Sequence, residues 1–531
     1  MVKRQTWTAL RTLTPEKLAL AVQALEDVRA GLTVEEAIRR HPLADGHLSK
    51  SALVAAYYHL VESGAWEAAP QVLARLRLKP IRTLSGVTTV TVLTQPYPCP
   101  GACIFCPDDV RMPKSYLPEE PGAMRAVENE FDPYRQVRAR LEALTAIGHP
   151  TDKIELLILG GTFSAYRRDY QEWFVRRCFE ALNAPTVTAD DLEHVHRLNE
   201  TASHRNVGLV IETRPDEVTP GELAWWRYLG VTKVQLGAQS LDDRILALNR
   251  RGHTVAETRR AVALLRAAGF KIVLHWMPNL LGATPESDRA DFARLWQGLC
   301  PDEIKIYPTQ LVASAPLYAC WQRGEYTPYT TEELVALIAD LKPTIPPYCR
   351  VNRVVRDIPA TCIVAGNKRT SLRQDVQAEL ARRGTRCRCI RCREVRNQPV
   401  ETSALRLDDM VYFPDGAEEH FLSFVTPDDR LAAFLRLSLP GADAPATGLR
   451  DLQGAAIIRE VHVYGQSLPI GVEQAGAAQH GGLGTRLLQE AEHLARQHGF
   501  RRLAVIAAVG TRQYYLERGF ERGELYLIKS C

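Results

Sequence analysis

From about residue 81 the chain alternates short β-branched apolar runs with longer stretches whose apolar residues recur every three or four positions. The runs are 87–94 (VTTVTVLT), 153–161 (KIELLILGG), 207–213 (VGLVIET), 233–240 (KVQLGAQS), 271–279 (KIVLHWMPN) and 303–309 (EIKIYPT). Stretches such as VRARLEALTAIG and TVAETRRAVALLRAAG lie between them. The two periods predict six strands, each followed by a helix, and so a parallel sheet buried on both faces. Six such units suit a partial TIM-like (βα)6 barrel over residues 79–345, with its chemistry at the C-terminal strand ends. Residues 1–78 read as a small helical module. Thr14-Pro15 is an N-cap followed by proline at the first helical position, and Thr33 with Glu36 fits a capping box. Residues 346–405 read as a connector. Over 406–531 a second α/β unit follows, with strands near 420–425 and 431–437, another in AAIIREVHVYG, a helix over about 482–497 and a strand in RLAVIAAVG.

Composition narrows the class. An apolar fraction of 46% over 531 residues is ample for several buried cores. No run of 18 apolar residues occurs, so no membrane span is expected. The first residues lack the apolar core of a secretory leader, which makes a cytoplasmic protein the expectation. Six of the twelve cysteines fall into two clusters, Cys99/Cys103/Cys106 and Cys387/Cys389/Cys392. In a reducing compartment such clusters point to metal sites rather than disulfides. Net charge is only +4, but residues 368–396 hold ten Lys/Arg against three Asp/Glu. That density suggests a polyanion partner, or else a solvated basic face.

CPGACIFC places three cysteines in the loop after the first strand. Three thiolates can hold three irons of a 4Fe-4S cluster and leave the fourth open. A zinc knuckle with a distant fourth ligand is the alternative. Gly160-Gly161-Thr162 follows the second strand, as a backbone-approach turn or a plain βα turn. Glu212, Gln239 and His275 stand at three further strand ends as candidate cofactor-binding residues of a polar, concave site, where each alone could equally satisfy the barrel mouth. Near the C-terminus, Gln479-His480-Gly481-Gly482-Leu483-Gly484 feeds a helix, presenting amides and a positive dipole end to a pyrophosphate. YYLERGF follows, with Tyr514 and Tyr515 as reactive or packing residues. CRCIRC reads as a metal site, zinc favoured, with Cys362 as the candidate fourth ligand and Cys349 or a histidine also open.

The cysteine loop on a parallel barrel resembles the radical S-adenosylmethionine superfamily. The order strand, Q-x-x-G-x-G, helix, strand, YYLERGF resembles the GNAT acetyltransferases. Both halves together, with KPIRTLSGV, EPGAMRAVENEFDPYRQ, IETRPD, RDIPA and REVHVYG, resemble the Elongator catalytic-subunit family in its stand-alone prokaryotic form, from Lys79 to Cys531. The resemblance implies a tRNA uridine carboxymethyltransferase that uses a 4Fe-4S cluster, S-adenosylmethionine and acetyl-coenzyme A. It would form 5-carboxymethyluridine at the wobble position of the tRNA anticodon stem-loop, with the helical module of residues 1–78 and the basic connector binding the tRNA. Lys153, Glu460, Val461, His462, Val463, Gln479, His480, Gly481, Gly482 and Gly484 match the coenzyme segments, and Tyr515 lies where the thioester would. An electron donor for the cluster is a further implied partner, and homodimerisation stays open. The competing activity is protein lysine acetylation on a scaffold barrel; a tRNA-binding protein without turnover is a third reading.

Overall fold

The computed structural model describes residues 13–44, 46–184, 191–396, 398, 400–464 and 482–531. The N-terminal module holds α1 (Pro15–Arg29), α2 (Val34–Arg40), α3 (Lys50–Glu62) and α4 (Pro70–Leu76). Thr14 Oγ1 caps α1 by accepting from the Lys17 N–H, and Thr33 and Glu36 form the expected capping box. These helices bury their own core around Leu25, Leu53, Tyr57 and Leu76. The module is fixed to the rest by Leu78 N–H→Ile147 O (3.1 Å) and Arg77 Nε→Gly148 O (3.0 Å).

The barrel strands are β1 (Thr88–Leu93), β2 (Lys153–Leu159), β3 (Arg205–Thr213), β4 (Lys233–Gln239), β5 (Lys271–Trp276), β6 (Glu303–Ile306) and β7 (Arg350–Arg353). They pair in that order, all parallel. The sheet does not close: β1 and β7 are its two edges. Helices α5 (Pro133–Thr145), α6 (Arg168–Asn183), α7 (Pro220–Tyr228), α8 (Val255–Ala267), α9 (Pro285–Arg294) and α10 (Thr331–Leu341) supply apolar side chains to the common core. The seventh strand falls in the segment expected to be connector. Its sequence, Arg-Val-Asn-Arg, puts only one apolar residue among three polar ones and so carries no apolar-run signal. The connector itself contains α11 (Leu372–Arg382).

The inner face of the sheet departs from expectation. It is polar: Glu155, Lys233, Gln235, Lys271, His275, Glu303 and Lys305 all face one central cavity. Only the outer face packs as apolar core, through residues such as Ile154, Leu156, Val234, Leu236, Ile272 and Ile304. Alternation along a strand sends neighbours to opposite faces, so each barrel strand carries both environments.

The C-terminal domain is a sheet of β8 (Arg406–Tyr412), β9 (Ala417–Val425), β10 (Leu431–Pro440), β11 (Ala455–Val463), β12 (Arg502–Val505), β13 (Glu521–Arg522) and β14 (Leu527–Ser530), with α12 (Leu483–Gln497) packed on it. The spatial order is β8-β9-β10-β11-β12-β14-β13, and only β11 and β12 run parallel. This domain caps the N-terminal ends of the barrel strands. Arg459 of β11 donates to Asp302 Oδ1 (3.0 Å), Glu419 Oε2 (2.8 Å) and Phe270 O (2.8 Å). Lys271, at the start of β5, pairs with Glu303 (2.7 Å) and with Glu460 across the domain boundary. Charges this deep are tolerable only when paired.

Candidate active site

The loop after β1 carries Cys99, Cys103 and Cys106 to the cavity wall. Cys103 is buried and accepts a hydrogen bond from Arg251 Nη1 (3.3 Å). Cys99 Sγ accepts from the Gly101 N–H (3.4 Å) and lies 3.5 Å from Thr162 Oγ1. The loop presses on Arg214, whose guanidinium a Cβ at Gly101 would strike. Two of the Arg214 nitrogens bond Asp216 and Arg251 O, while Nη1 has no protein partner. A hydrogen bond from Cys106, then Arg251 and Arg214, holds the Cys103 thiol below its ordinary value. The same contact and burial push Cys106 up. Three sulfurs backed by two guanidinia, one with an orphaned nitrogen, fit an anionic iron–sulfur cluster, which three thiolates alone would leave open at one iron.

The neighbouring strand ends come together around this loop. Gly160 and Gly161 have φ of 149° and 87°; a Cβ at the first would run into Thr94 Oγ1, and at the second would sit 3.1 Å from Lys114 O. Only glycine makes that turn, and Thr162 beside it lines the cavity. Glu212 accepts from Tyr116 Oη (2.8 Å) and faces His275 Nδ1 at 3.4 Å. His275 Nε2 lies 2.9 Å from Gln235 Oε1, and burial with Lys305 and Arg356 nearby drives its pKa well down. A neutral imidazole has one N–H, so it donates to only one of these oxygens and turns its lone pair to the other. Gln239, at φ 67°, leaves its buried side-chain oxygen without a partner. That oxygen and the Gly160–Thr162 turn could receive the polar end of an S-adenosylmethionine molecule.

The cavity holds about 840 Å³ and runs from the cysteine loop through the barrel to the C-terminal domain. There β11 and β12 pair only from Ala455↔Arg502 to Ile458↔Val505 and then part. Glu460, Val461, His462 and Tyr464 on one side, and Val505 to Ala508 on the other, line the opening. Unpaired amides on splayed strands offer hydrogen bonds to a pantetheine-like amide chain. Glu460 also pairs with Arg436 (2.9 Å). His462 Nε2 is 3.1 Å from Ser85 O, and burial lowers its pKa to about 4. Val463 packs near Gly484.

Gly482 is the N-cap of α12, and no side chain caps that turn. Gln479, His480 and Gly481 lie outside the described residues. The two tyrosines separate. Tyr515 is buried and lines the cavity. Tyr514 instead stacks under Arg518 (3.7 Å to the ring centre) and covers Gly484. Lys153 opens β2 at the barrel end nearest the C-terminal domain, paired in register with Arg205, against which Gly510 packs. Burial lowers its pKa.

The second cysteine set draws together. The sulfurs of Cys387, Cys389 and Cys392 lie within 4.8 Å of one another. Hydrogen bonds from Cys387 and Cys392 hold the Cys389 thiol well below its ordinary value. Cys362 is not with them: its sulfur faces Glu119 Oε2 at 4.0 Å, beside Leu117 and Ile358. Sequence proximity misled because residues 363–386 run through a strand and α11 before returning. Buried Cys349 is closer, its carbonyl accepting from the Ile390 N–H at 3.0 Å.

A group of arginines escaped the sequence reading. Arg82, Arg125 and Arg140 line the cavity near the β1 edge. Burial, then Arg125 and Arg82, lower the Arg140 pKa to about 10. No ion pair engages these three among the described residues. In the basic stretch singled out from charge, Arg382 and Arg383 pair with Glu379, and Arg383 also with Asp340 (2.6 Å), while Arg386, Arg388 and Arg393 share the one carboxylate of Asp429.

A cysteine-loop barrel joined through one cavity to an acetyltransferase-type domain defines a radical S-adenosylmethionine protein. Residues 97–295 match the Radical SAM superfamily and 301–382 the Radical_SAM C-terminal domain. The chain belongs to the tRNA uridine(34) acetyltransferase family, which includes Elongator complex protein 3. It is 46% identical to the tRNA uridine(34) acetyltransferase of Dehalococcoides mccartyi, over 84% of this chain and 98% of that one. It is 35% identical to Elongator complex protein 3 of Homo sapiens, over 86% of each. The solved Elp3 of Methanocaldococcus infernus, lacking its N-terminus, superposes with a TM-score of 0.72 at 36% identity, covering 84% of this chain and all of that one. No described helix is long and apolar enough to cross a membrane.

Proposed function

We propose that this chain forms 5-carboxymethyluridine at the wobble position of tRNA, taking the two-carbon unit from acetyl-coenzyme A. The observation that carries the reading is the continuity of the cavity from the three cysteines to the splayed β11 and β12. A cluster bound to Cys99, Cys103 and Cys106 would supply, with S-adenosylmethionine, a hydrogen-abstracting radical. Arg214 and Arg251 would balance its charge. The Gly160–Thr162 turn, Gln239 and Glu212 would orient S-adenosylmethionine, with Tyr116 donating to Glu212. Gly482 and the first turn of α12 would hold the pyrophosphate, while Glu460 to Val463 flank the pantetheine arm and Tyr515 the thioester. Lys153 suits the coenzyme end of the barrel. The Cys387/Cys389/Cys392 set suits a structural zinc ion.

The test is isotopic. With deuterium in the acetyl methyl group, anaerobic turnover with S-adenosylmethionine, reductant and tRNA yields labelled 5′-deoxyadenosine. Label confined to acetylated lysine, with none in deoxyadenosine, would return the C-terminal domain to protein acetylation.

The tRNA part has its own test. Arg82, Arg125 and Arg140 are positioned to meet phosphates flanking an extruded base. Arg125→Ala and Arg140→Ala each weaken tRNA binding and reduce the log–log salt slope by about 0.7–0.9. Arg382→Ala, outside the cavity and paired with Glu379, changes the slope less than either of these. Filter binding across a salt series separates the two outcomes.

A further inference from the structure

The outer face of the C-terminal domain, away from the cavity, carries a second set of metal-ligand side chains. Glu418 and His420 stand two residues apart on β9 and so share a face. His498, the C-cap residue of α12, meets them there. Glu418 Oε1 lies 3.0 Å from His420 Nε2 and 3.3 Å from His498 Nε2, and all three donor atoms fall within 4.8 Å of one another. Tetrahedral bonds of about 2.0–2.2 Å place ligand atoms about 3.3 Å apart, so the set needs little movement to close on an ion.

Each ring is already aimed. His420 Nδ1 bonds Asp409 Oδ2 of β8 (2.7 Å), and His498 Nδ1 lies 2.9 Å from Leu494 O. Both therefore turn Nε2 toward Glu418. A carboxylate or carbonyl on the far nitrogen is the usual outer support of a metal-bound histidine. His420 is buried, at 3% exposure, while the His498 side chain is 37% exposed, so solvent reaches the fourth position. The end of α12 adds its negative dipole, which favours a cation.

We propose that Glu418, His420 and His498 form a site for a divalent transition-metal ion, Zn2+ with a water as its fourth ligand. Imidazole and carboxylate donors suit zinc over calcium or magnesium, which prefer all-oxygen shells. The ion clips the C-terminal end of α12 to β9. The other end of that helix carries Gly482, so the clip fixes the helix from the side opposite the candidate coenzyme turn. None of the three ligands lines the cavity, which assigns the site to structure rather than to turnover.

The test uses untagged full-length protein with both cysteine sites loaded, titrated with Zn2+ against a chelating dye. Wild type takes up one more equivalent than His498→Ala, and zinc raises its melting temperature but not that of the variant. Asp409→Asn, which removes only the outer support, binds the extra zinc about 10–100-fold more weakly. His498 is partly exposed, so its variant is expected to fold, and unchanged acetyl-coenzyme A binding checks this. If His420→Ala unfolds the domain, the His498→Ala and Asp409→Asn comparison still decides. Equal zinc stoichiometry and equal melting shifts in wild type and His498→Ala would overturn the proposal and leave the cluster an imidazole held between carboxylates.

Discussion

Alanine at position 103 abolishes 5′-deoxyadenosine formation and, with it, uridine modification. We expect a loss of at least about a thousandfold, roughly 4 kcal/mol of barrier, with tRNA affinity within a few-fold of the parent. Cys103 is the buried sulfur of the loop, and Arg251 donates to it. Removing it leaves two thiolates and an Arg251 guanidinium facing an empty volume. The arginines proposed to meet phosphate lie elsewhere on the cavity wall, so binding and chemistry separate. Iron content, visible absorbance after anaerobic reconstitution and deoxyadenosine yield give the readouts. A variant that still makes deoxyadenosine at a substantial rate would remove this loop from the reaction.

The second large effect is on stability. Arg459→Met removes the cation that fully buried Asp302 and Glu419 share, leaving Arg436 at 3.3 Å from the first and Arg266 at 3.5 Å from the second to compensate in part. Breaking one partner of a buried charge set costs about 3–5 kcal/mol, a large part of the margin of a typical domain. Chemical denaturation should show the barrel and the C-terminal domain losing cooperativity, because the pairing joins them. The same cluster sets the response to acid. Burial pushes the Asp302 pKa up, but Arg459, Arg436 and Arg266 outweigh it and hold it well below the carboxylate range. A depressed folded pKa means that the stabilisation is complete above the unfolded value, near 4, and fades only as pH falls further toward the folded one. Wild type should therefore hold its domain interface at pH 5, and a transition centred above that value would contradict this role.

Much of this was legible in the chain. Six of the seven barrel strands announce themselves because their outer faces are apolar, and the cysteine spacing is local. The polar lumen went unread, although Lys233-Val234-Gln235 and Glu303-Ile304-Lys305 carry it as alternation. It is hidden when a strand is scored only for its apolar residues. What sequence could not supply is assembly. Arg82 and Arg140 are far apart in the chain, Glu418 and His498 farther still, and the Lys271–Glu460 pair exists only because one domain closes the end of another. Cys362 shows the opposite error, since closeness along the chain is not closeness in space.

The unclosed sheet has a consequence for when in the life of an RNA this chemistry takes place. A complete barrel admits reactants only through its ends, which suits a free nucleotide. Here β1 and β7 stay apart, and a row of arginines stands at the β1 edge. On the proposed function, one base can enter sideways while the strand that carries it remains outside. Such a slot favours a polymer over a monomer, since most of the attraction comes from phosphates on either side of the reacting base. On that reading the nucleotide pool is spared, and the mark is written after the chain has been polymerised.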